Sequence, residues 1–340
     1  MLSATSEPVR ARWYGAGDGM SDAESGPTGP SATTLRPLTR ADLASADRVF
    51  RLAFGTFLGL ADPLTFAGDS DCIATRWRAD PSLSLGMRRG GELVASNFVT
   101  LWGSVGFFGP LTVRPDLWDR GLAKQLMGAT VALLDDHGVR WAGLFTFADS
   151  PKHIGLYQRF GFSPQQLTGL FTRSAARSGV PGWSRLTEAD DRGAAIAACA
   201  EITTSIYEGL DVRREIAAVL DQGLGDVVLL DGGDRLDAFA VCHVGKGSEA
   251  GSDTCYVKVG AVRPGPGAGE IFGRLLEACE DLAVQRGASV LLAGMNAGRR
   301  EAYAAVRRHG FSAGMHGVVM TRPDDVGYNR PGVYLIDDWR

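Results

Sequence analysis

The sequence predicts an α/β (α+β) fold made of two tandem modules, each a twisted mixed sheet flanked by helices. Strand and helix patterns alternate along the chain, and their order repeats after a segment rich in small residues, glycine and proline at 174–183. Three pairs of landmarks also share one spacing of 149 residues, which indicates tandem duplication of a single module. The pairs are Val113 and Val262 (262 − 113), Gly138 and Gly287 (287 − 138), and Gly161 and Gly310 (310 − 161).

Composition limits the classes of protein to consider. The 340 residues suggest two domains of roughly 150 residues each. A net charge of −4 argues against a broad nucleic-acid surface, which needs clustered Lys and Arg. No apolar run approaches the roughly 18 residues of a membrane span, and no signal peptide is apparent. Five cysteines without a CxxC pair predict reduced thiols in the cytoplasm and no metal site.

The chain divides into five predicted segments. Residues 1–33 are rich in Gly, Ser, Pro and Ala, and we expect a disordered leader. Two modules follow, joined by a linker and ended by a tail. Their predicted bounds are 34–173 for the first module, 174–183 for the linker, 184–323 for the second module and 324–340 for the tail.

The first module is predicted to begin with a strand at 35–38 and a helix that is capped by Thr39. Residues 55–81 have no regular pattern, and Gly90 and Gly91 then join two strands in a hairpin. The remaining elements are a strand at 107–113, a helix after Gly121, the strand "VRWAGLFTF" and the helix "PKHIGLYQRF".

The second module repeats that order of elements. A helix is predicted over 189–207, and the strands "DVVLLDG", "LDAFAVCHV" and "TCYVKVGAV" follow. A helix that ends at Gly287, the strand "SVLLAGM" and a last helix that ends at Gly310 complete it.

The stretch "LTVRPDLWDRGLAKQLM" predicts a strand that turns into a helix at Gly121. Small residues at such a turn let the backbone approach a ligand, and the free N–H groups and the helix dipole favour an anion such as a phosphate. An ordinary tight turn is the alternative if the motif is taken alone.

The order of three motifs, "V-R-P", "R-G-L-A" and "L-Y-x-x-x-G-F", resembles the GNAT acetyltransferase superfamily over roughly residues 34–320. The resemblance implies acetyl-CoA as co-substrate, no metal, and Tyr157 as the general acid that protonates the departing thiolate. It also implies that a strand binds pantetheine through its backbone and that the turn binds the pyrophosphate. The implied cofactor-binding residues are Leu111, Thr112, Val113, Trp118, Asp119, Arg120, Gly121, Leu122, Ala123 and Ser150.

Two positions depart from the family pattern. Trp118 stands where the family usually has Gln or Arg, and Ser150 stands where an Asn is common. Either change can shift cofactor affinity, but neither removes the backbone cradle. The alternative role for Tyr157 is that of a core tyrosine that fills space under the sheet.

The second module lacks these features. The 149-residue offset places Glu270 at the position of Gly121, Phe272 at that of Ala123 and Val306 at that of Tyr157. We therefore expect a degenerate module that serves as scaffold or substrate wall. Gly267, Gly269 and Tyr303 lie nearby and leave a locally shifted turn open.

A catalytic base is not evident, because the strand at 107–113 has no Asp or Glu. Asp149 and His153 are candidates, and a solvated helix start is the alternative for His153. The aromatic and acidic residues of 55–81 suit a cationic amine, although a solvated loop with a few core anchors explains them equally well.

The tail "GYNRPGVYLIDDWR" has no counterpart after the first module. Its apolar content predicts an extended, docked segment that pads the seam between the modules. A second hypothesis is that Asp337, Asp338 and the terminal carboxylate of Arg340 reach the acceptor cleft, since some tandem members of the superfamily use the chain end as an acid/base group.

These observations predict an acetyl-CoA-dependent N-acyltransferase acting on a small-molecule amine. The alternative is a non-catalytic acyl-CoA-binding regulatory protein. The acceptor, the acyl chain length and the oligomeric state stay open, a homodimer included.

Overall fold

The computed structural model describes residues 33–340, so the leader predicted over 1–33 lies outside it except for Thr33. This part of the chain contains fourteen strands and eight α-helices. The strands are β1 Thr33–Pro37, β2 Ser84–Arg89, β3 Glu92–Trp102, β4 Val105–Phe108, β5 Thr112–Val113, β6 Trp141–Thr146, β7 Ser163–Ser174, β8 Trp183–Arg185, β9 Gly225–Asp231, β10 Leu236–Gly245, β11 Gly251–Val262, β12 Val290–Asn296, β13 Ser312–Arg322 and β14 Leu335–Ile336. The helices are α1 Leu43–Phe57, α2 Cys72–Ala79, α3 Leu122–Asp136, α4 Pro151–Gln158, α5 Arg192–Ile206, α6 Arg213–Gln222, α7 Ala268–Gln285 and α8 Arg300–Arg308.

All fourteen strands join in one sheet, in the order β1-β2-β3-β4-β6-β13-β7-β12-β11-β10-β9-β8. Strand β5 pairs with β3, and β14 pairs with β11. The pairs β4–β6 and β11–β12 are parallel, and the other pairs are antiparallel. The predicted class, a mixed sheet flanked by helices, is confirmed.

The two parallel pairs have the same register under the 149-residue offset. Phe107 lies opposite Gly143 in the first pair, and Tyr256 lies opposite Leu292 in the second. Adding 149 to Phe107 and to Gly143 gives Tyr256 and Leu292 (107 + 149 and 143 + 149). The spacing found in the sequence therefore recurs as equal strand pairing in the two halves.

The two halves exchange their last strands. Strand β7 comes from the first half but pairs with β12, where Arg173 lies opposite Leu291. Strand β13 comes from the second half and pairs with β6, where Val318 lies opposite Thr146. Strands β6 and β12 thus each receive an antiparallel neighbour from the other half, which satisfies an edge that would otherwise be open. The predicted domain bounds stay a prediction.

Helices cover both faces of the sheet near β4. Successive side chains of a strand point to opposite faces, so Phe108 packs with residues of α3 and α4, including Tyr157. Phe107 points the other way and packs with residues of α5 and α6 and with Trp339 of the tail. Side chains from two different sets of elements can therefore contact a group held beside β4.

Three details differ from the elements that the sequence suggests. The stretch at 55–81 contains α2, which the side chain of Asp71 caps and which buries Ile73. Residues 213–222 form α6 where no helix is expected. The strand predicted at 107–113 is divided into β4 and β5 by Gly109, Pro110 and Leu111. None of the described helices has the length and apolar content that crossing a membrane requires.

Candidate active site

The site begins where β4 and β6 separate. The two strands pair as far as Phe107 and Gly143. Beyond this point the first segment pairs with β3, with Thr112 opposite Ser96, while β6 continues along β13. We call the gap between residues 108–113 and 144–147 the wedge. The backbone edge of Gly109 to Val113 that faces away from β3 lines it, so the wedge offers main-chain groups to an extended ligand.

The turn before α3 lies at the end of the strand that lines the wedge. Gly121 is the N-cap of α3 and has φ of +76°, a conformation that favours glycine. A Cβ atom added to Gly121 meets open space, so the approach to the first free N–H groups is clear. Asp119 also has a positive φ, and the indole Nε1 of Trp118 donates to the main-chain oxygen of Val113, 2.7 Å away. These contacts fix a turn that suits an anion.

Lys152 adds a cation beside this turn, and the sequence analysis did not single it out. Its Nζ lies 2.5 Å from an Asp119 carboxylate oxygen and 5.8 Å from the centroid of the Trp118 ring. It occupies the first turn of α4, so two helix starts point toward the same area. A lysine just after the Pro at a helix start was the available signal.

Tyr157 lies on α4 beneath the wedge. Its side chain is 7% exposed, and its ring centroid is 5.9 Å from that of Phe108. Burial raises the pKa of Tyr157 well above its usual range, so the phenol keeps its proton at neutral pH. Ser150, the N-cap of α4, is buried but makes no capping hydrogen bond through its side chain. The structure thus brings Tyr157 close to the strand that lines the wedge.

The two other candidates in this half lie at the wedge's open end. Asp149 is exposed in the loop before α4. His153 packs against Phe57, with ring centroids 5.1 Å apart, and Phe57 lies 4.9 Å from Phe147. Burial and then Lys152 lower the pKa of His153, which favours a neutral imidazole.

The acidic residues of 55–81 have structural partners instead of forming a wall. Asp62 accepts a hydrogen bond from the main-chain N–H of Leu64, and Asp71 accepts one from Ala74. Asp69 accepts from the hydroxyl and the main-chain N–H of Ser252 in the second half. The explanation of this stretch as a loop with core anchors therefore has the better structural support.

A buried charged cluster lies on the face opposite Tyr157. Arg76 donates 2.6 Å to the main-chain oxygen of Gly109 and binds Glu249 at 2.8 Å. Lys258 also binds Glu249 at 2.8 Å, and its Nζ is 5.9 Å from the centroid of the Phe107 ring. Burial alone would raise the pKa of Glu249, but Arg76 and Lys258 hold it well below its ordinary value. The sequence analysis missed this cluster, although a lysine inside the apolar strand "TCYVKVGAV" was a signal.

The tail covers the same face. The Trp339 ring stacks on Phe107 at 5.9 Å between centroids, and a Cβ at Gly143 would overlap the Trp339 ring. The main-chain oxygen of Arg340 accepts from Arg76. The tail therefore packs at the seam and also ends beside the charged cluster.

Neither tail aspartate is free of partners. Asp337 binds Arg299 and Tyr328, and all three side chains are buried. Asp338 accepts from the Tyr256 hydroxyl at 3.0 Å and from the Arg340 side chain at 3.1 Å.

The corresponding region of the second half is closed. Helix α7 begins three residues earlier than the offset from α3 gives (268 − 149 = 119, against 122), so Glu270 lies inside its first turn and Phe272 is fully buried. Gly267, with φ of +80°, is the N-cap, which gives the shifted turn that the sequence left open. Strand β14 pairs with Gly260 and Ala261, the offset positions of Leu111 and Thr112 (260 − 149 and 261 − 149).

Comparison with known structures supports the fold. A Pyrococcus horikoshii chain provisionally assigned as an acetyltransferase is 14% identical, with a TM-score of 0.65 over 89% of this chain and 93% of its own. A GCN5-related N-acetyltransferase from Sphaerobacter thermophilus is 15% identical, with a TM-score of 0.54 over 85% and 95%. The glucosamine N-acetyltransferase region of a fungal multi-domain β-N-acetylglucosaminidase is 13% identical, with a TM-score of 0.60 over 86% and 38%.

Sequence comparison identifies the first half. None of the curated proteins matches the chain in sequence. Residues 51–162 match the Acetyltransferase (GNAT) family, and this range contains α2, the wedge, the turn at Gly121 and Tyr157. The first half of the chain therefore contains a GNAT acetyltransferase domain, over residues 51–162.

Proposed function

We propose that the chain is an acyl-CoA-dependent N-acyltransferase that acetylates a small-molecule amine at the wedge of its first half. The observation that carries the proposal is the arrangement at the wedge, where a free strand edge, a glycine turn at a helix N-terminus and a buried tyrosine lie together. An extended thioester with a pyrophosphate at one end fits the chemistry of these three features.

The turn at 118–123 would hold the pyrophosphate through main-chain N–H groups, and Arg120 and Lys152 would add positive charge. The strand edge at Leu111, Thr112 and Val113 would bind the pantetheine arm. Its N–H groups would also polarise the thioester carbonyl and stabilise the oxyanion of the tetrahedral intermediate.

The reaction would proceed by direct attack of the amine on the thioester carbon. The C–N bond forms, the C–S bond breaks, and Tyr157 donates its proton to the departing sulfur. The amine proton leaves to a base or through water. Asp149 and His153 at the open end of the wedge, and Asp337, Asp338 and Arg340 in the tail, stay candidates for this step or for holding the amine.

The test is thiol release from acetyl-CoA with a broad panel of amines, with mass spectrometry of the products. We expect turnover with at least one amine class and a product heavier by one acetyl group. Acetyl-CoA binding without turnover across the panel would contradict the enzyme and favour an acyl-CoA-binding regulatory protein.

A further inference from the structure

A polar cleft lies between the two halves, next to the charged cluster. Helix α2 and the edge of β3 form one wall, and α6 with strands β10 and β11 forms the other. The cleft contains a cavity of about 40 Å³, and a single water needs roughly 10–15 Å³, so an ammonium group with part of its alkyl chain fits. Arg214, whose side chain is 66% exposed, stands at its edge and pairs with Asp80.

Glu215 differs from the other carboxylates that line the cleft. Glu249 has two cationic partners, and Asp80 has Arg214. Glu215 is 11% exposed, and within residues 33–340 no Lys or Arg lies within 4 Å of it. One of its oxygens accepts from the indole of Trp102 at 3.1 Å, and the other lies 3.8 Å from His243 Nε2, which is too far for a hydrogen bond.

Two further polar atoms at the cleft lack partners. Gln222 donates through Nε2 to the main-chain oxygen of Thr75 at 3.1 Å, and its amide oxygen is buried without a donor. His243 is 2% exposed and accepts at Nδ1 from the main-chain N–H of Glu249 at 3.4 Å, while its Nε2 is also unpartnered. A buried polar atom without a partner costs free energy, and a ligand that pairs with it recovers that energy.

Glu215, a carboxylate with no Lys or Arg partner among the described residues, matches a primary ammonium group. An ammonium has three N–H donors and no acceptor, and it would supply the cationic partner. Burial alone would raise the pKa of Glu215, but His243 and Lys258 lower it by more than burial raises it. The carboxylate is therefore ionised at neutral pH.

The inner end of the cleft borders the charged cluster beside Phe107. There Arg76 and Lys258 both bind Glu249, and Arg76 also donates to the oxygen of Arg340. Trp102 separates the two ends, because its indole donates to Glu215 while its ring lies 4.9 Å from Phe107 between centroids.

We infer that Glu215, from the second half, binds the distal ammonium of a diamine or longer polyamine whose other amino group is acylated at the wedge. This inference rests on the proposed function and names its substrate class. Glu215 acts here as a specificity residue. It holds the distal ammonium, and the other amino group reacts at the wedge.

The experiment compares 1,4-diaminobutane with n-butylamine in the thiol-release assay, for the native chain and for Glu215→Gln. We expect the native chain to favour the diamine in kcat/KM by about 10- to 100-fold, the range for a charged hydrogen bond. Glu215→Gln should remove most of that preference and leave acetyl-CoA affinity and n-butylamine kinetics unchanged. Glu215→Asp retains the charge and should keep part of the preference for the diamine. Asp221→Asn, on the exposed side of α6, is the control and should keep all of that preference.

Calorimetry separates this inference from the proposed function. Titration of 1,4-diaminobutane in the presence of coenzyme A should show that Glu215→Gln binds the diamine at least about 10-fold more weakly than the native chain does. This result does not depend on turnover. Equal diamine binding by the native and Glu215→Gln proteins, both folded by their melting temperature, would overturn the inference. Absence of turnover with normal Glu215-dependent binding would instead contradict the enzyme.

Discussion

Tyr157 and the charged cluster meet β4 on opposite faces, through two consecutive residues. Phe108 directs one ring toward Tyr157, and Phe107 directs the other toward Lys258 and Trp339. In the proposed reaction, an acyl group in the wedge would have the proton donor Tyr157 on one side of β4 and the charged cluster on the other.

We predict that Tyr157→Phe lowers kcat by about 10- to 10⁴-fold and hardly changes acetyl-CoA affinity. The change removes one hydroxyl, and no side-chain hydrogen bond of Tyr157 is found within residues 33–340, so the fold should survive. Because burial raises the pKa of Tyr157, an activity loss between pH 6 and 9 should not come from its ionisation. Unchanged kcat, measured where chemistry limits the rate, would refute the acid role.

Glu249 is expected to contribute to stability in a pH-dependent way. Its pKa in the folded protein lies well below the ordinary 4.5, so its stabilisation is present above about pH 4.5 and is lost as the pH falls toward the folded value. Glu249→Gln leaves two buried cations without their partner and should cost about 3–5 kcal/mol at pH 7.

Urea unfolding at pH 7 and at pH 3 measures this effect, and the difference between the native chain and Glu249→Gln should shrink at pH 3. Glu92→Gln is the control, because its carboxylate is 74% exposed and should change stability by less than about 1 kcal/mol. A Glu249→Gln protein with the same stability as the native chain at pH 7 would disprove the role of the cluster.

At the scale of elements, α3 and α7 start differently although they occupy equivalent places. Helix α3 starts after an open glycine turn, whereas α7 extends one turn further and places Glu270 and Phe272 there. We predict one coenzyme A per chain by calorimetry, and none for Gly121→Glu, because a carboxylate would add bulk and repulsion at the helix N-terminus.

Gly128→Glu is the matched control for this test. Gly128 lies on the exposed side of α3, where an added Cβ meets open space, so the same change in charge should leave binding intact. Two equivalent sites in the native chain, or one retained site in Gly121→Glu, would contradict the asymmetry.

Sequence patterns identified the elements that have long apolar periods or clear start and stop residues. Helix α3 has both, since it begins at Gly121 and ends before Gly138. Helix α2 is short and has only two buried residues, so its period is weak, and its cap at Asp71 reads equally well as a loop aspartate. Helix α6 follows α5 closely and buries only Ile216 and Val219, and the sequence analysis did not identify it.

At the scale of the whole molecule, the exchange of β7 and β13 binds the halves together. We predict that residues 34–173 expressed alone do not form a stable monomer, because β6 would lose β13, and β7 would lose β12. Co-expression of 34–173 with 174–340 should restore a one-to-one complex on size-exclusion chromatography. A soluble, cooperatively unfolding monomer of 34–173 would show that the exchange is dispensable.

The parts of the site that come from different halves of the molecule could not be predicted from the sequence. The turn and Tyr157 belong to one continuous stretch, so their motifs are visible in order. Arg76 and Glu249 are 173 positions apart, and nothing local to either residue indicates the other. Glu215 lies on a helix that has no recognisable motif, and only the packing of the two halves places it at a cleft.

The pairing of β14 with Gly260 and Ala261 affects how readily a free ligand could bind to the same strand edge. A segment tethered to its own protein competes at an effective concentration that is of millimolar order for short flexible links. A free ligand at micromolar concentration would therefore displace it only rarely from this strand edge. Strand β14 would thus act as an internal ligand of the second half, and the contacts that stabilise this half would also exclude the ligand proposed for the first half.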